Sequence, residues 1–311
     1  MEYSDDLLRE ALPTRPPPFE LVPSEVLAEI ERGSARDDDF EHSALVARSA
    51  QWTYAMFNEL RLGRYYVDGP IWTPALFCGH FAIGLFDADD EPAGFGLILF
   101  VRGLREAPFI ESHIIFERLG EKFPILHQQA SITEHRPPHP QYATSASWAR
   151  CDRDQRWGVL TAGHAVGTSR GAPVSLSHGL GGIVARSYHP VIDAAFVHTD
   201  EAPSSARMMT VRRFPAAGNR VSVGCQSGGE QRHVVAVEDN MGVVKTLSRA
   251  AILYMDRCCS PGDSGALVKS GDDAVGIYLG SLETEGPNPD TLGRVLSFEQ
   301  AAYALEVTAY E

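Results

Sequence analysis

Cys258-Cys259-Ser260-Pro261-Gly262-Asp263-Ser264-Gly265-Ala266-Leu267-Val268 is the stretch whose reading decides the fold. Two glycines bracket an Asp-Ser pair, and an apolar, strand-like run follows. A serine hydroxyl is a weak nucleophile at neutral pH. It needs a base to take its proton and donors to hold the oxyanion it creates. Gly262 lets the backbone turn so that its own N–H and that of Ser264 converge on one spot, and Gly265 leaves space where a substrate main chain would pass. A nucleophile loop is one reading of this stretch, and a tight turn before a strand is the other.

A base and an orienting acid lie upstream. Trp157-Gly158-Val159-Leu160-Thr161-Ala162-Gly163-His164-Ala165-Val166 is an apolar strand running into a histidine set between small residues. Val191-Ile192-Asp193-Ala194-Ala195-Phe196-Val197 puts one carboxylate at the head of a second apolar run. An acid buried there is costly unless something hydrogen-bonds it, and a histidine N–H is a suitable partner. Asp200, in His198-Thr199-Asp200-Glu201, sits in a polar, loop-like setting instead. The chain order is His164, Asp193, Ser264; subtilisin-like enzymes and α/β-hydrolases use other orders.

In these residues the chain resembles the chymotrypsin-like serine peptidases. Leu160-Thr161-Ala162-Gly163-His164 is similar to their histidine motif, Ile192-Asp193-Ala194-Ala195-Phe196-Val197 to their aspartate motif, and Gly262-Asp263-Ser264-Gly265 to their serine motif. The resemblance runs from about Thr144 to the C-terminus, and its short spacings are most similar to the compact bacterial branch. It implies a mostly β fold of two six-stranded β-barrels, with the cleft between them. It also implies a serine endopeptidase in which Ser264 attacks a peptide carbonyl, His164 shuttles the proton, and Asp193 fixes the imidazole. The N–H groups of Gly262 and Ser264 would form the oxyanion hole. Hydrolysis by this route takes water and a protein or peptide substrate, with no metal and no organic cofactor. In the family, the residue at Cys258 often lines the base of the primary pocket. A small, uncharged residue there argues against a cutter at basic residues, while Asp256 nearby argues for one. Leu279, Gly280 and Ser281 would supply the edge that pairs with substrate backbone. Asp263 would hold the serine loop rather than do chemistry.

The chain has 311 residues, 44% of them hydrophobic and 22% charged, enough for two domains with sizeable cores. Its net charge of −14 disfavours nucleic acid and anionic membrane as partners. No apolar run reaches the length of a membrane span. The N-terminal stretch carries Glu2, Asp5, Asp6, Arg9, Glu10 and several prolines, with no apolar signal-peptide centre, so a cytoplasmic protein is expected. The cysteines agree: there are five, an odd number. Ala165 stands where the family often has a cysteine after the histidine, so the usual disulfide is not expected and a reducing compartment fits.

Read in order, residues 1–23 form a polar, proline-rich tether. Residues 24–132 form a small α+β domain. Ser24 caps a helix to about Arg32, with Gly33 after it, and Asp37-Asp38-Asp39 opens a second helix to about Leu62. Phe81–Phe86 and Phe95–Val101 form a hairpin, and a third strand lies at Ile114–Phe116 or Pro124–Leu126. Residues 133–143 are a linker, and the prolines in His135-Arg136-Pro137-Pro138-His139-Pro140 forbid a helical metal site there. Residues 144–311 make the two barrels, about 144–200 and 208–298, and a terminal helix at Ser297–Leu305. Strands are expected at 143–150, 159–162, 173–177, 182–187, 192–198, 221–224, 234–237, 243–247, near Leu253, at 267–268 and at 274–280. Cys258-Cys259 lacks the gap of common zinc knuckles and reads as two buried thiols.

Two rival functions remain open on the sequence. One is a non-catalytic binding module on the same fold; the other is an esterase. A peptidase with an open site inside the cell endangers its host, so control by the N-terminal domain, by a regulatory protein partner through that domain, or by narrow specificity is expected.

Overall fold

The computed structural model describes residues 3–35, 38–69, 81–88, 91–101, 109–134, 142–225, 228–238, 251–285 and 290–311. Three helices open the chain: α1 Asp5–Ala11, α2 Ser24–Ser34 and α3 Phe40–Arg61. Ser4 caps α1 by accepting the Leu7 N–H at 3.1 Å, and Asp5 and Asp6 occupy the positive end of its dipole. The expected tether is therefore corrected. Leu8, Leu12, Leu21 and Val22 are buried, and their apolar surface pins the proline-rich stretch onto the core. The second helix begins at Ser24 without a side-chain cap and runs through Gly33. Asp39 accepts the His42 N–H at 3.2 Å and starts α3, in line with the acidic opening.

Five strands follow: β1 Tyr66–Asp68, β2 Phe81–Ala88, β3 Glu91–Val101, β4 Phe109–Phe116 and β5 Glu121–Glu134, in the order β1-β4-β5-β3-β2. The hairpin is β2–β3, and both candidate third strands form, paired with each other through Ile114↔Phe123 and His113↔Pro124.

The next sheet comprises β6 Tyr142–Ala143, β7 Ser147–Cys151, β8 Trp157–Ala162, β9 Pro173–Leu176, β10 Gly181–Ser187 and β11 Ala194–Thr199. A single-turn helix, α4 Gly163–Val166, follows β8. The remaining strands are β12 Arg220–Cys225, β13 Gly228–Glu238, β14 Ile252–Met255, β15 Leu267–Ser270, β16 Asp273–Thr284 and β17 Thr291–Ser297, then α5 Phe298–Leu305 and β18 Val307–Tyr310. The first barrel sheet is seven-stranded, β18-β7-β8-β11-β10-β9-β6, because the C-terminal strand adds to β7. The second runs β13-β12-β15-β16-β17-β14, and β14 pairs back onto β13, closing six strands into a barrel. The expected strand at 243–247 and the histidine–proline stretch at 135–140 lie outside the described residues.

The N-terminal region does not stand apart. The edge strand β2 pairs with β13 (Ile83↔Val237, Gly84↔Ala236), and β5 pairs with β16, so one eleven-stranded sheet spans the expected domain boundary. The boundary placed at residue 132 falls inside β5, which continues to Glu134. The core is shared as well: Leu8, Trp52, Phe57 and Phe123 pack in one cluster with Val234, Met255 and Tyr278. Polar contacts follow the same seam. Tyr54 donates to Pro215 O at 2.9 Å, and Glu29 accepts the N–H groups of Arg213 and Phe214. A second core, with Phe196, Leu279 and Phe298, lies inside the first barrel sheet and under α5. No helix among the described residues is long and apolar enough to cross a membrane.

Candidate active site

Strand β8 ends at Ala162, and the chain turns at once into α4, which carries His164. Asp193 stands one residue before β11, the strand that pairs with β8. Neighbouring strands thus bring base and acid together. The His164 backbone N–H donates to Asp193 Oδ1 at 2.7 Å, and His164 Nδ1 lies 2.7 Å from Oδ2. Both oxygens of one carboxylate therefore hold one residue, in main chain and ring. Gly163 makes the approach possible: a Cβ there would sit 2.9 Å from His189 Cβ and 3.1 Å from Asp193 Oδ1. Asp200 is exposed beyond β11 and takes no part.

Burial pushes the Asp193 carboxyl up, but the His164 ring hydrogen bond, the His164 charge and the His164 N–H outweigh it. The carboxyl stays below its ordinary range. A depressed folded value stabilises the fold above the unfolded value, near 3.9 for a free aspartate, and that share is lost as pH falls through the folded value. Thermal melts of the native chain and Asp193→Asn are therefore expected to converge on acidification below about pH 4.

Ser264 comes from the other barrel, in the turn before β15, and is buried. Gly262, with φ of +102°, makes the turn that the motif demands. Thr144 Oγ1 donates to Gly262 O at 2.8 Å, and Thr161 Oγ1 donates to Thr144 O at 2.7 Å, so two threonines of the first barrel sheet region tie down the serine loop. Asp263 is buried and accepts the Ser260 N–H at 3.1 Å, a loop-holding contact. The Ser264 hydroxyl donates to Leu279 O at 2.8 Å. His164 Nε2 is buried and makes no hydrogen bond among the described residues. The histidine–aspartate half of the constellation is formed, and the serine hydroxyl is turned toward the neighbouring carbonyl.

Of the expected substrate residues, Leu279, Gly280 and Ser281 follow one another along β16, starting at the Ser264 contact itself, and Leu279 and Ser281 are buried. Cys258 is half-buried, its N–H on Thr291 O at 3.1 Å, and burial pushes its thiol up. Asp256 is turned to His233, whose N–H it accepts at 3.1 Å, and burial of its carboxyl is outweighed by that histidine. Two residues the sequence did not mark stand beside the pair. His189 lies 3.3 Å from Asp193 Oδ1 through Nδ1 and 3.9 Å from Glu134 Oε1 through Nε2. Neither carries a motif, and Glu134 reaches the site only through the β5–β16 pairing.

Two groups of potential ligands come close among the described residues: Cys225, Glu230 and Cys259, and Glu134, His164 and Asp193, each with ligand atoms within 4.8 Å of one another. In the first, Glu230 is paired with Arg232 and burial pushes the Cys225 thiol up to about 11, against the thiolate a metal needs. In the second, His164 and Asp193 spend their facing atoms on each other. A cavity of about 610 Å³ lies elsewhere, between α2, α3 and the Thr210–Asp273 surface, and holds no residue of the constellation.

The chain is similar to chymotrypsin-like serine proteases of known structure. A Nocardiopsis protease aligns at a TM-score of 0.42 with 21% identity over 55% of this chain and 97% of that one. Thermobifida fusca protease A gives 0.41 and 20% over 53% and 90%. A Cellulomonas bogoriensis chymotrypsin gives 0.38 and 20% over 54% and 98%. No protein-family model matches the chain, and no curated protein matches it.

Proposed function

We propose that this chain is a serine endopeptidase that cleaves peptide bonds through Ser264, His164 and Asp193 by way of an acyl-enzyme. The observation that carries the reading is the double clasp of Asp193 on His164, two contacts of 2.7 Å that set the proton of the ring on Nδ1 and leave Nε2 as the acceptor. In that state Nε2 takes the Ser264 proton as Oγ attacks. The N–H groups of Gly262 and Ser264 are assigned to the oxyanion, a contribution worth roughly 3 kcal/mol per donor in related chemistry. His164 then protonates the leaving amine, and water reverses the sequence. The hydroxyl must first leave Leu279 O for His164 Nε2. The four described cysteines are free, and a reducing, cytoplasmic setting is part of the proposal. The Cys225 and Cys259 thiols, both buried, then serve as packing.

A second reading, a binding module without catalysis, draws on the same hydroxyl, whose bond to Leu279 O leaves the base without its nucleophile. Labelling by a fluorophosphonate separates the two. The native chain is expected to label, with the label lost in Ser264→Ala and in His164→Ala. A folded native chain that stays unlabelled both alone and in lysate with candidate partners present overturns the peptidase reading in favour of the binding module.

A further inference from the structure

Strand β16 uses its two sides unequally. From Leu267↔Ile277 backwards it is paired with β15, and it pairs with β17 as far as Glu283↔Thr291. Tyr278 still bonds to Gly265 and Ala266 on that side; past it the β15 side is open, and this is the stretch that starts at Leu279, the acceptor of the Ser264 hydroxyl. A strand edge with unpaired N–H and C=O groups is a template for an extended peptide. Here the template is filled. Ala130 to Glu134 of β5 lie antiparallel along it, in the register Gly280↔Glu134, Ser281↔Thr133, Leu282↔Ile132, Glu283↔Ser131 and Thr284↔Ala130.

Direction makes this pairing more than sheet extension. From Leu279 to Thr284 β16 runs away from Ser264, so its antiparallel partner runs toward Ser264. A peptide cleaved by Ser264 presents the carbonyl at the C-terminal end of its acyl-side segment. Residues 130–134 thus have the polarity of an acyl-side substrate segment. The far end is fastened, with Glu285 N–H donating to Gln129 O at 2.9 Å and Gln128 Nε2 to Glu285 O at 3.0 Å, and nearer the other end Thr133 Oγ1 donates to Glu283 Oε1 at 3.1 Å. The near end places an acidic side chain beside the catalytic imidazole. Glu134 has an oxygen 3.9 Å from His189 Nε2, and its carboxylate lies within 4.8 Å of the facing His164 and Asp193 atoms.

We infer that Ser131–Glu134 is an internal occupant of the peptide-binding edge of this site, and that His189 is the residue that selects an acidic side chain at the position paired with Gly280. Resting on the peptidase reading, this names the substrate class: extended peptides carrying glutamate or aspartate at that position, which bind by replacing the chain's own strand. His189 is a positioning residue for the bound peptide. It has no part in the proton transfers.

The test uses the full chain with Ser264→Ala, so that nothing is cleaved, and reads hydrogen exchange of the Gly280–Thr284 amides. Glu134→Lys and, separately, Thr133→Pro are expected to speed that exchange. A peptide of sequence Gln-Ala-Ser-Ile-Thr-Glu, amidated at its C-terminus, is expected to restore protection. Replacing its glutamate by glutamine is expected to weaken binding about threefold, the scale of a partly exposed ion pair, and His189→Gln to abolish that difference. Unchanged exchange in the Glu134→Lys chain, which alters only a partly exposed side chain at the strand end, overturns the occupancy. Equal affinity for the two peptides with His189 intact overturns the selectivity. Fluorophosphonate labelling of the chain with Ser264 present decides the peptidase reading independently, so failure of that reading and failure of this one leave different records.

Discussion

Asp193→Asn is expected to lower the rate of Ser264 labelling by a fluorophosphonate about 10⁴-fold while the chain remains folded. The reason is the inventory of donors around one carboxylate. Asp193 accepts twice from His164, once from the main-chain N–H and once from ring Nδ1. An asparagine offers one acceptor and one donor group. The main-chain N–H cannot change its role, so it keeps the amide oxygen and turns the NH₂ toward Nδ1. The ring must then accept at Nδ1, which moves its own proton to Nε2. An imidazole protonated at Nε2 cannot take the Ser264 proton, so the nucleophile is lost although every heavy atom stays near its place. The labelling rate measures this without a known substrate, and the thermal midpoint, measured near neutral pH, checks the fold. A variant that labels within tenfold of the native rate would mean that His164 does not depend on Asp193 for its tautomer. The clasp would then be structural only.

What the sequence made legible follows from how each feature is encoded. Polar and titratable side chains stand out in apolar or glycine-bounded surroundings, as His164, Asp193 and Ser264 do, and strand periodicity marked most of the second half. The helix opening at Asp39 was legible for the same reason, since an N-cap needs a side-chain acceptor. Main-chain pairing leaves no such mark. The contacts of β5 with β16 join residues far apart in sequence through N–H and C=O groups that every residue carries. The sequence therefore showed the Pro124–Leu126 core of β5, where apolar side chains are buried, and missed its extension to Glu134, where exposed Ile132 alternates with polar residues. Tertiary packing hid the N-terminal helix in a similar way. The prolines of residues 1–23 argue for an extended tether, whereas the few leucines that anchor it tell only in contact with Trp52 and Phe57. His189 and Glu134 lacked any signal, because their place beside Asp193 and each other is set by the fold alone.

Gly265→Ala is expected to cost about 3 to 5 kcal/mol of stability, enough to unfold a chain of ordinary stability in part at 37 °C. Gly265 has φ of +99°, and a Cβ built on it would stand 2.0 Å from Thr144 O and 2.4 Å from Thr161 Oγ1. Neither neighbour can retreat cheaply. The carbonyl of Thr144 accepts the Thr161 hydroxyl, and the Thr144 hydroxyl in turn holds Gly262 O. Gly265 is itself anchored, its N–H on Tyr278 O at 2.8 Å. The methyl group would thus push the serine loop away from the β6–β8 region, at the seam between the two barrel sheets. Gly171→Ala isolates the backbone share of the effect. Its φ is +84°, but nothing lies within 4 Å of the added Cβ, so only the left-handed conformation is penalised, at about 1 to 2 kcal/mol. Urea denaturation of the two variants beside the native chain measures the difference. A Gly265→Ala midpoint no lower than that of Gly171→Ala would mean that the serine loop can shift without cost. The close contact of the barrels at Thr144 would then not be what positions Ser264.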